Sequence, residues 1–367
     1  MNVAESHKDH ASEAKTNMSA EKNATGISYP AVDEFLGEKL FPDEAALTEQ
    51  LADTIERGVR AQYQAGNARR DVHTKATGIL KAEFRVNDSL PETLAKGVFI
   101  PGKSYQAFLR FSNASGNPSQ SDDNEDGRGM AIKLLNVPGE KILENNRDAA
   151  TQDFVMINHP VFLTNDPHTY LSLVQKSGST NILTKLSIPF TLGLKGTQVA
   201  QELSHGRISN PLQIRYYSAV PYQLGVGPGR RAVKYSVKPV SPDVDPLPSN
   251  PAPDYLREAM RATLQKTEVR MKFLVQLKTS DSMKVEDSMV EWHETEAPFH
   301  EVATIVIPKQ NFDTPEQNTF GENLSFNPWH SLPEHRPLGS LNRMRKMVYE
   351  RISRVRHEMN SVPRREP

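Results

Sequence analysis

The chain has 367 residues, with 44 Lys and Arg against 45 Asp and Glu, 37% apolar residues and no cysteine. So even a charge balance gives no global case for nucleic acid or an anionic membrane surface. The missing cysteines exclude disulfides, thiolate nucleophiles, Cys-ligated zinc and thiolate-held cofactors, and fit a reducing compartment.

Residues 1–28 are polar, rich in Ala, Ser, Asn, Lys and His, and lack the apolar core of a secretory signal. They are read as a disordered tail in which His7 and His10 are solvated. No later segment approaches the ~20 apolar residues of a membrane span, so the cytoplasm is the default location. Residues 29–367 are read as one domain, because no internal repeat or compositional break divides them. Leu47, Leu51, Ile55 and Val59 recur every four residues and predict an amphipathic helix over about 44–65, with Gly66 as its stop. Extended runs follow at 79–86, 105–112, 129–135 and 153–158, several alternating with period two. The Asn-, Ser-, Asp- and Gly-rich stretch 112–129 reads as a surface loop.

Residues 167–203 read as helical, interrupted near Pro189. Strands return at 212–220, 231–238, 268–278 and 302–307, with a Pro-rich connector over 240–253 and a helix over about 254–265. Beyond Pro308 the chain reads as irregular until a terminal helix over about 338–358. Two groups of strands with helices between and after them predict an α+β fold around a mainly antiparallel sheet or barrel.

That last helix carries an energetic anomaly. At 100° per residue, Arg345, Tyr349 and Arg356 fall with Leu338, Leu341 and Ile352 in a wedge of roughly 80°. Two guanidiniums and a phenol on an apolar stripe need a buried partner, because an unpaired buried charge is costly. A large, flat, apolar ligand bearing anions meets that need, which points to haem.

Histidines open or close strands at RDVHTK (70–75) and NHPVF (158–162). Neither they nor His293, His300, His330 and His335 show a compact metal-binding spacing. No Walker loop, dinucleotide-binding glycine pattern or serine nucleophile elbow is present.

Together, five segments resemble the catalase superfamily. RDVHTKATG (70–78) is similar to the family's distal-histidine segment, LRFS (109–112) to its Val-Arg-Phe-Ser strand and DGRGMAIK (126–133) to its Asp-Pro-Arg-Gly-Phe-Ala-Val-Lys strand. NHPVFLTND (158–166) resembles the distal-asparagine segment, and RKMVY (345–349) fits the Arg-x-x-x-Tyr signature of the proximal ligand. FNPWHSLPEHRPLGSLNR (326–343) is shared with small catalase-related haem proteins. The resemblance implies an antiparallel β-barrel core of the catalase type, with flanking helices and a C-terminal haem-ligating helix.

It also implies haem b, with Tyr349 as the phenolate ligand to iron and Arg345 supporting the anion. Arg70, Arg110 and Arg356 would bind the propionates, and His73, Asn158 and Ser112 would form the catalytic distal site. Val72 and Phe162 would line the pocket. The implied function is a hydrogen peroxide-dependent peroxidase with weak catalase activity, acting on hydrogen peroxide or an organic hydroperoxide with a small organic electron donor. The alternatives are a fatty-acid hydroperoxide dehydratase or isomerase resembling allene oxide synthase, and a non-catalytic haem-binding protein. A homo-oligomer, dimer or tetramer, is implied, without nucleic acid. Thr74 and His159 depart from the large catalases. So does the sequence after Pro367, where their wrapping segment and flavodoxin-like domain would follow, which leads us to expect a more open channel.

Overall fold

A computed structural model describes residues 26–179 and 181–367. The chain opens with helix α1 (Glu44–Gln62), whose Leu47, Leu51, Ile55 and Val59 are all buried, as their spacing requires. Four long strands follow: β1 (Ala76–Val86), β2 (Ser104–Asn113), β3 (Arg128–Leu135) and β4 (Thr151–Ile157). Helices α2 (Pro167–Ser177), α3 (Ile182–Leu186) and α4 (Ile188–Ser204) separate them from the short β5 (Tyr216–Tyr217) and β6 (Tyr222–Leu224). Then come β7 (Arg231–Pro239), α5 (Tyr255–Lys266), β8 (Val269–Leu277), β9 (Phe299–Ile307), α6 (Pro315–Asn323) and α7 (Ser340–Met359).

The strands pair in the order β5-β4-β3-β2-β1-β9-β8-β7, and β7 returns to β5 to close an eight-stranded antiparallel barrel, with β6 attached along β7. Eight strands enclose an interior that side chains alone can fill. Alternate residues point inward, as Leu80, Ala82, Phe84 and Val86 do from β1, and Leu109 and Phe111 from β2. Phe154, Phe84 and Phe273 meet inside with ring centroids 5.0 and 5.1 Å apart. His335 lies among these rings; its Nε2 accepts the Val98 N–H at 3.0 Å and its Nδ1 contacts the Tyr235 hydroxyl at 2.9 Å. Burial pushes its pKa down to about 3, so it is a neutral core histidine.

Helices α1, α2 and α7 form a layer outside the barrel, joined through Leu51, Ile55, Leu171, Met344, Ile352 and Val355. Helix α7 is buried on nearly every side rather than along one stripe. Arg343, outside the predicted wedge, is fully buried and bridges Glu38, Glu44 and Glu286 at 2.7, 2.7 and 2.9 Å. This pins the rotation of α7 against the N-terminal segment. An Arg343→Met variant leaves three acids around an apolar chain, so we expect a loss of about 3–5 kcal/mol in denaturant unfolding.

Several boundaries differ from expectation. The expected tail falls outside the described residues over 1–25, but Ile27 is fully buried beside Leu143 and Trp329, and the Ser28 hydroxyl donates to Glu144 at 2.7 Å. The strand expected over 212–220 begins as a 3₁₀ turn, because the Asn210 side chain caps the Leu212 N–H ahead of Pro211, and only Tyr216–Tyr217 pairs. The interruption expected near Pro189 falls at Ser187, between α3 and α4, with Pro189 in the first turn of α4; breaks not expected lie between α2 and α3 and at the Gly193 kink, with φ 66°. Helix α6 arises in the stretch read as irregular, where Thr314 caps the Gln317 N–H. Leu338 is not on the last helix: Gly339, with φ 85°, separates it, and it packs with Leu36 and Trp292.

Candidate functional site

The site lies on the outer barrel face, under the helical layer. Pairing sets Ser112 of β2 opposite Gly129 of β3, and Gly129 opposite Ile157 at the end of β4. Asn158 therefore emerges beside Gly129; its N–H donates to the Arg128 carbonyl at 3.0 Å and its amide oxygen accepts the Arg128 N–H at 2.7 Å. That arrangement leaves the Asn158 NH₂ as the donor available to a ligand.

His73 sits just before β1 in the left-handed region, with φ 57°. Three contacts hold it there: its N–H donates to the Ala114 carbonyl at 3.1 Å, its carbonyl accepts from Arg110 Nη2 at 2.8 Å, and Nδ1 meets Ser112 Oγ at 3.1 Å. A Cβ on Gly129 would come within 2.6 Å of the imidazole, so only glycine permits this ring position. Burial, with Arg110 and then Arg345 nearby, pushes the His73 pKa down to about 3. The imidazole is neutral, with Nε2 free of protein partners among the described residues.

Arg70, Arg110 and Arg356 gather beyond this face. Arg70 pairs with Glu322 at 3.0 Å and donates to the Leu324 carbonyl at 2.5 Å. Arg356, 2% exposed, reaches the same Leu324 carbonyl at 3.2 Å and stands 3.7 Å from Glu322. Arg110 is buried, and its Nε has no partner among the described residues. Burial and the neighbouring Arg70 push Arg110 well below its ordinary pKa, and push Arg356 down to about 9. Among the described residues, Arg70 and Arg356 thus share one carboxylate and Arg110 pairs with none, which leaves room for further anions. A ligand bearing two carboxylates fits this donor set.

Tyr349 and Arg345 are half-buried on α7. Tyr349 packs with Tyr63 and Tyr170 against the α1–α2–α7 cluster, and its hydroxyl has no hydrogen-bond partner among the described residues. Arg345 lies 5.4 Å over the Phe162 ring, and its Nη1 is 3.4 Å from Asn342 Oδ1. Phe162 also meets the Tyr170 ring at 5.7 Å. Val72 is 49% exposed. The structure therefore joins His73 directly to Ser112 and Arg110, places Asn158 beside Gly129 through the Arg128 backbone, and links Arg70 with Arg356 through Glu322 and Leu324. Phe162 and Arg345 meet each other, and Val72 touches none of these groups through a polar contact. The departing residues are both satisfied: Thr74 donates to the Ser115 carbonyl at 2.9 Å, and His159 meets Glu202 of α4 at 3.3 Å.

Sequence reading missed Glu322, Tyr170, Gly129 and Asp71. Glu322 lay in a helix without an apolar signature; Gly129 stood in a quoted motif but had no assigned reason. The Asp71 carboxyl has no hydrogen-bond partner among the described residues, and burial pushes its pKa up to about 6. The folded state thus binds this proton more tightly than the unfolded chain, and wild-type stability falls as pH rises from about 4 through about 6. An Asp71→Asn variant should match wild type below pH ~4 and be more stable by about 1–3 kcal/mol above pH ~6, measured by urea unfolding across that range.

A family model described as catalase matches residues 48–186, from α1 through α3. The catalase-related peroxidase of Mycolicibacterium paratuberculosis is 24% identical over 328 residues, 86% of this chain and 95% of that protein. A catalase of Staphylococcus warneri is 32% identical over 116 residues, which is 31% of this chain and 21% of the longer relative. Among solved structures, a fungal catalase superimposes on 98% of this chain and 72% of its own with TM-score 0.64 at 19% identity. A shared barrel closure, a sequence match across its first half and superposition over nearly the whole length lead to one conclusion: the chain is a catalase-fold protein.

Proposed function

We propose that the protein is a haem-dependent oxidoreductase that acts on peroxide, with haem b held between the barrel face and α7. The observation that carries this reading is the buried cluster of Arg70, Arg110 and Arg356, short of anions, on the same face as a neutral His73. In it, Tyr349 would hold the iron through its phenolate oxygen, and Arg345, one helical turn earlier, would favour that anion. Arg70, Arg110 and Arg356 bind the propionates. Phe162 and Val72 wall the pocket.

When bound, the haem supplies the redox-active iron at which the peroxide O–O bond is cleaved. The protein's part is proton handling. His73 Nε2 takes a proton from one peroxide oxygen and returns it to the departing oxygen. Ser112 Oγ, 3.1 Å from Nδ1, holds the ring orientation that leaves Nε2 unprotonated. The Asn158 NH₂ donates to the oxygen on which charge develops. A small organic molecule would be the electron donor, and a second peroxide in that role would give weak catalatic turnover.

The matching relatives named catalase and catalase-related peroxidase support the peroxide-processing reading. The test is the absorption spectrum and haem stoichiometry of the purified protein, followed by three assays on one preparation: oxygen evolution from hydrogen peroxide, oxidation of a guaiacol-type donor, and consumption of a polyunsaturated hydroperoxide. Donor oxidation is expected. Consumption of the hydroperoxide alone would replace a reductive reaction with a rearranging one.

A further inference from the structure

Five large apolar side chains exposed to solvent fall between 182 and 194: Ile182 at 68%, Leu183 at 70%, Leu186 at 64%, Phe190 at 89% and Leu194 at 95%. They belong to α3 and the first turns of α4, on either side of the short break at Ser187. Contiguous apolar surface of this kind marks an interaction site on a folded chain. Its electrostatic setting is one-sided. Residues 167–201 contain no Asp or Glu and carry Lys176, Lys185 and Lys195, although the whole chain has net charge −1. Lys185 and Lys195 are exposed beside the apolar side chains, while Lys176 Nζ is held by Thr191 Oγ1 at 2.5 Å.

A second copy of this chain is a poor occupant. A two-fold contact centred on the patch would set the lysine-bearing, acid-free segment against itself. An anionic lipid surface matches both halves of the pattern: acyl chains accept the apolar side chains, and headgroup charge accepts the ammonium groups. Among the described residues no helix is long and apolar enough to cross a membrane, so such contact is interfacial.

We propose that α3 and the N-terminal half of α4 form a docking site for an anionic lipid bilayer, with Phe190, Leu194 and Leu186 entering the headgroup–acyl boundary and Lys185 and Lys195 meeting lipid anions. The helix kinks at Gly193, with φ 66° and open space around it, between the exposed Phe190 and Leu194. The docked element adjoins the site. A Cβ on Gly196 of α4 would fall 2.9 Å from the Leu163 carbonyl, next to Phe162, and Glu202 of α4 meets His159, next to Asn158. Docking would therefore bring the distal loop to the lipid surface. The inference does not depend on what Tyr349 binds.

The test is co-sedimentation of the full-length, haem-loaded protein with vesicles. We expect binding to phosphatidylcholine vesicles containing phosphatidylglycerol, weakened at least about tenfold with phosphatidylcholine alone. A Phe190→Glu, Leu194→Glu variant should lose at least about tenfold in partitioning. A Lys185→Glu, Lys195→Glu variant should lose the preference for anionic lipid. Leu183→Ser with Leu186→Ser gives an independent apolar variant with the same expected loss. The soluble-state absorption spectrum of each should match wild type, because none of these side chains touches the site. Absence of wild-type binding to both vesicles, or binding unchanged by the apolar variants, would overturn the proposal. So would a change of oligomeric state in those variants, which would give the patch to a second copy of the chain.

Discussion

A Tyr349→Phe variant is expected to lose the high-spin absorption spectrum of tyrosinate-ligated ferric haem, and with it nearly all peroxide turnover. The substitution removes one oxygen and little else. Tyr349 packs through its ring with Tyr170 and Tyr63 against the helical cluster, and its hydroxyl has no protein hydrogen-bond partner among the described residues. Phenylalanine keeps that packing and leaves no partner orphaned, so stability should change by less than about 1 kcal/mol. A changed spectrum on an equally stable protein would therefore isolate ligation from folding. An unchanged spectrum would remove Tyr349 as the ligand.

Replacing His73 by Ala should leave haem stoichiometry intact and slow peroxide consumption by about 10²–10⁴, the size of a positioned acid–base contribution. Stopped-flow mixing with hydrogen peroxide measures it. The pH profile adds a second criterion. With the His73 pKa pushed down to about 3 by burial and neighbouring guanidiniums, the imidazole is neutral and able to accept a proton at every pH above ~4. The wild-type rate should then show no step near the ordinary histidine value of about 6.5. A step there would mean that His73 titrates, and that the cationic neighbours do not act on it as the geometry implies.

The two expectations draw on different parts of the chain, and their legibility differed accordingly. His73, Ser112 and Asn158 were named through the resemblance of their segments to catalases, not through periodicity, and the structure sets His73 against Ser112 and Asn158 beside Gly129 at neighbouring strand ends. The barrel strands β1 to β4 and β7 to β9 were legible through period-two patterning. Strand β6 was not, because three residues carry no periodicity. Helix α6 was not either, since its one large apolar residue, Phe320, makes no stripe. That hid Glu322, among the described residues the acid paired with Arg70 and lying near Arg356.

The terminal helix gives the most useful contrast. Its cations were correctly read as anomalous, but as cations on an apolar stripe. In the fold the helix is buried nearly all round, and its most deeply buried cation is Arg343, held by Glu38 and Glu44 of the N-terminal segment and by Glu286. Nothing local announces that network, because all three acids come from elsewhere in the chain.

The sequence by itself determined the catalase-type motifs, their order, and most elements whose apolar period shows which face is buried. Only the tertiary structure decided the charge accounting: that Arg70 and Arg356 share one carboxylate while Arg110 pairs with none among the described residues, that Gly129 must be bare for His73 to fit, and that Ile182, Leu183, Leu186, Phe190 and Leu194 stay exposed on α3 and α4. The physical reason is that periodicity records which way a side chain points, whereas balance of charge and exposure depend on which other segments arrive beside it.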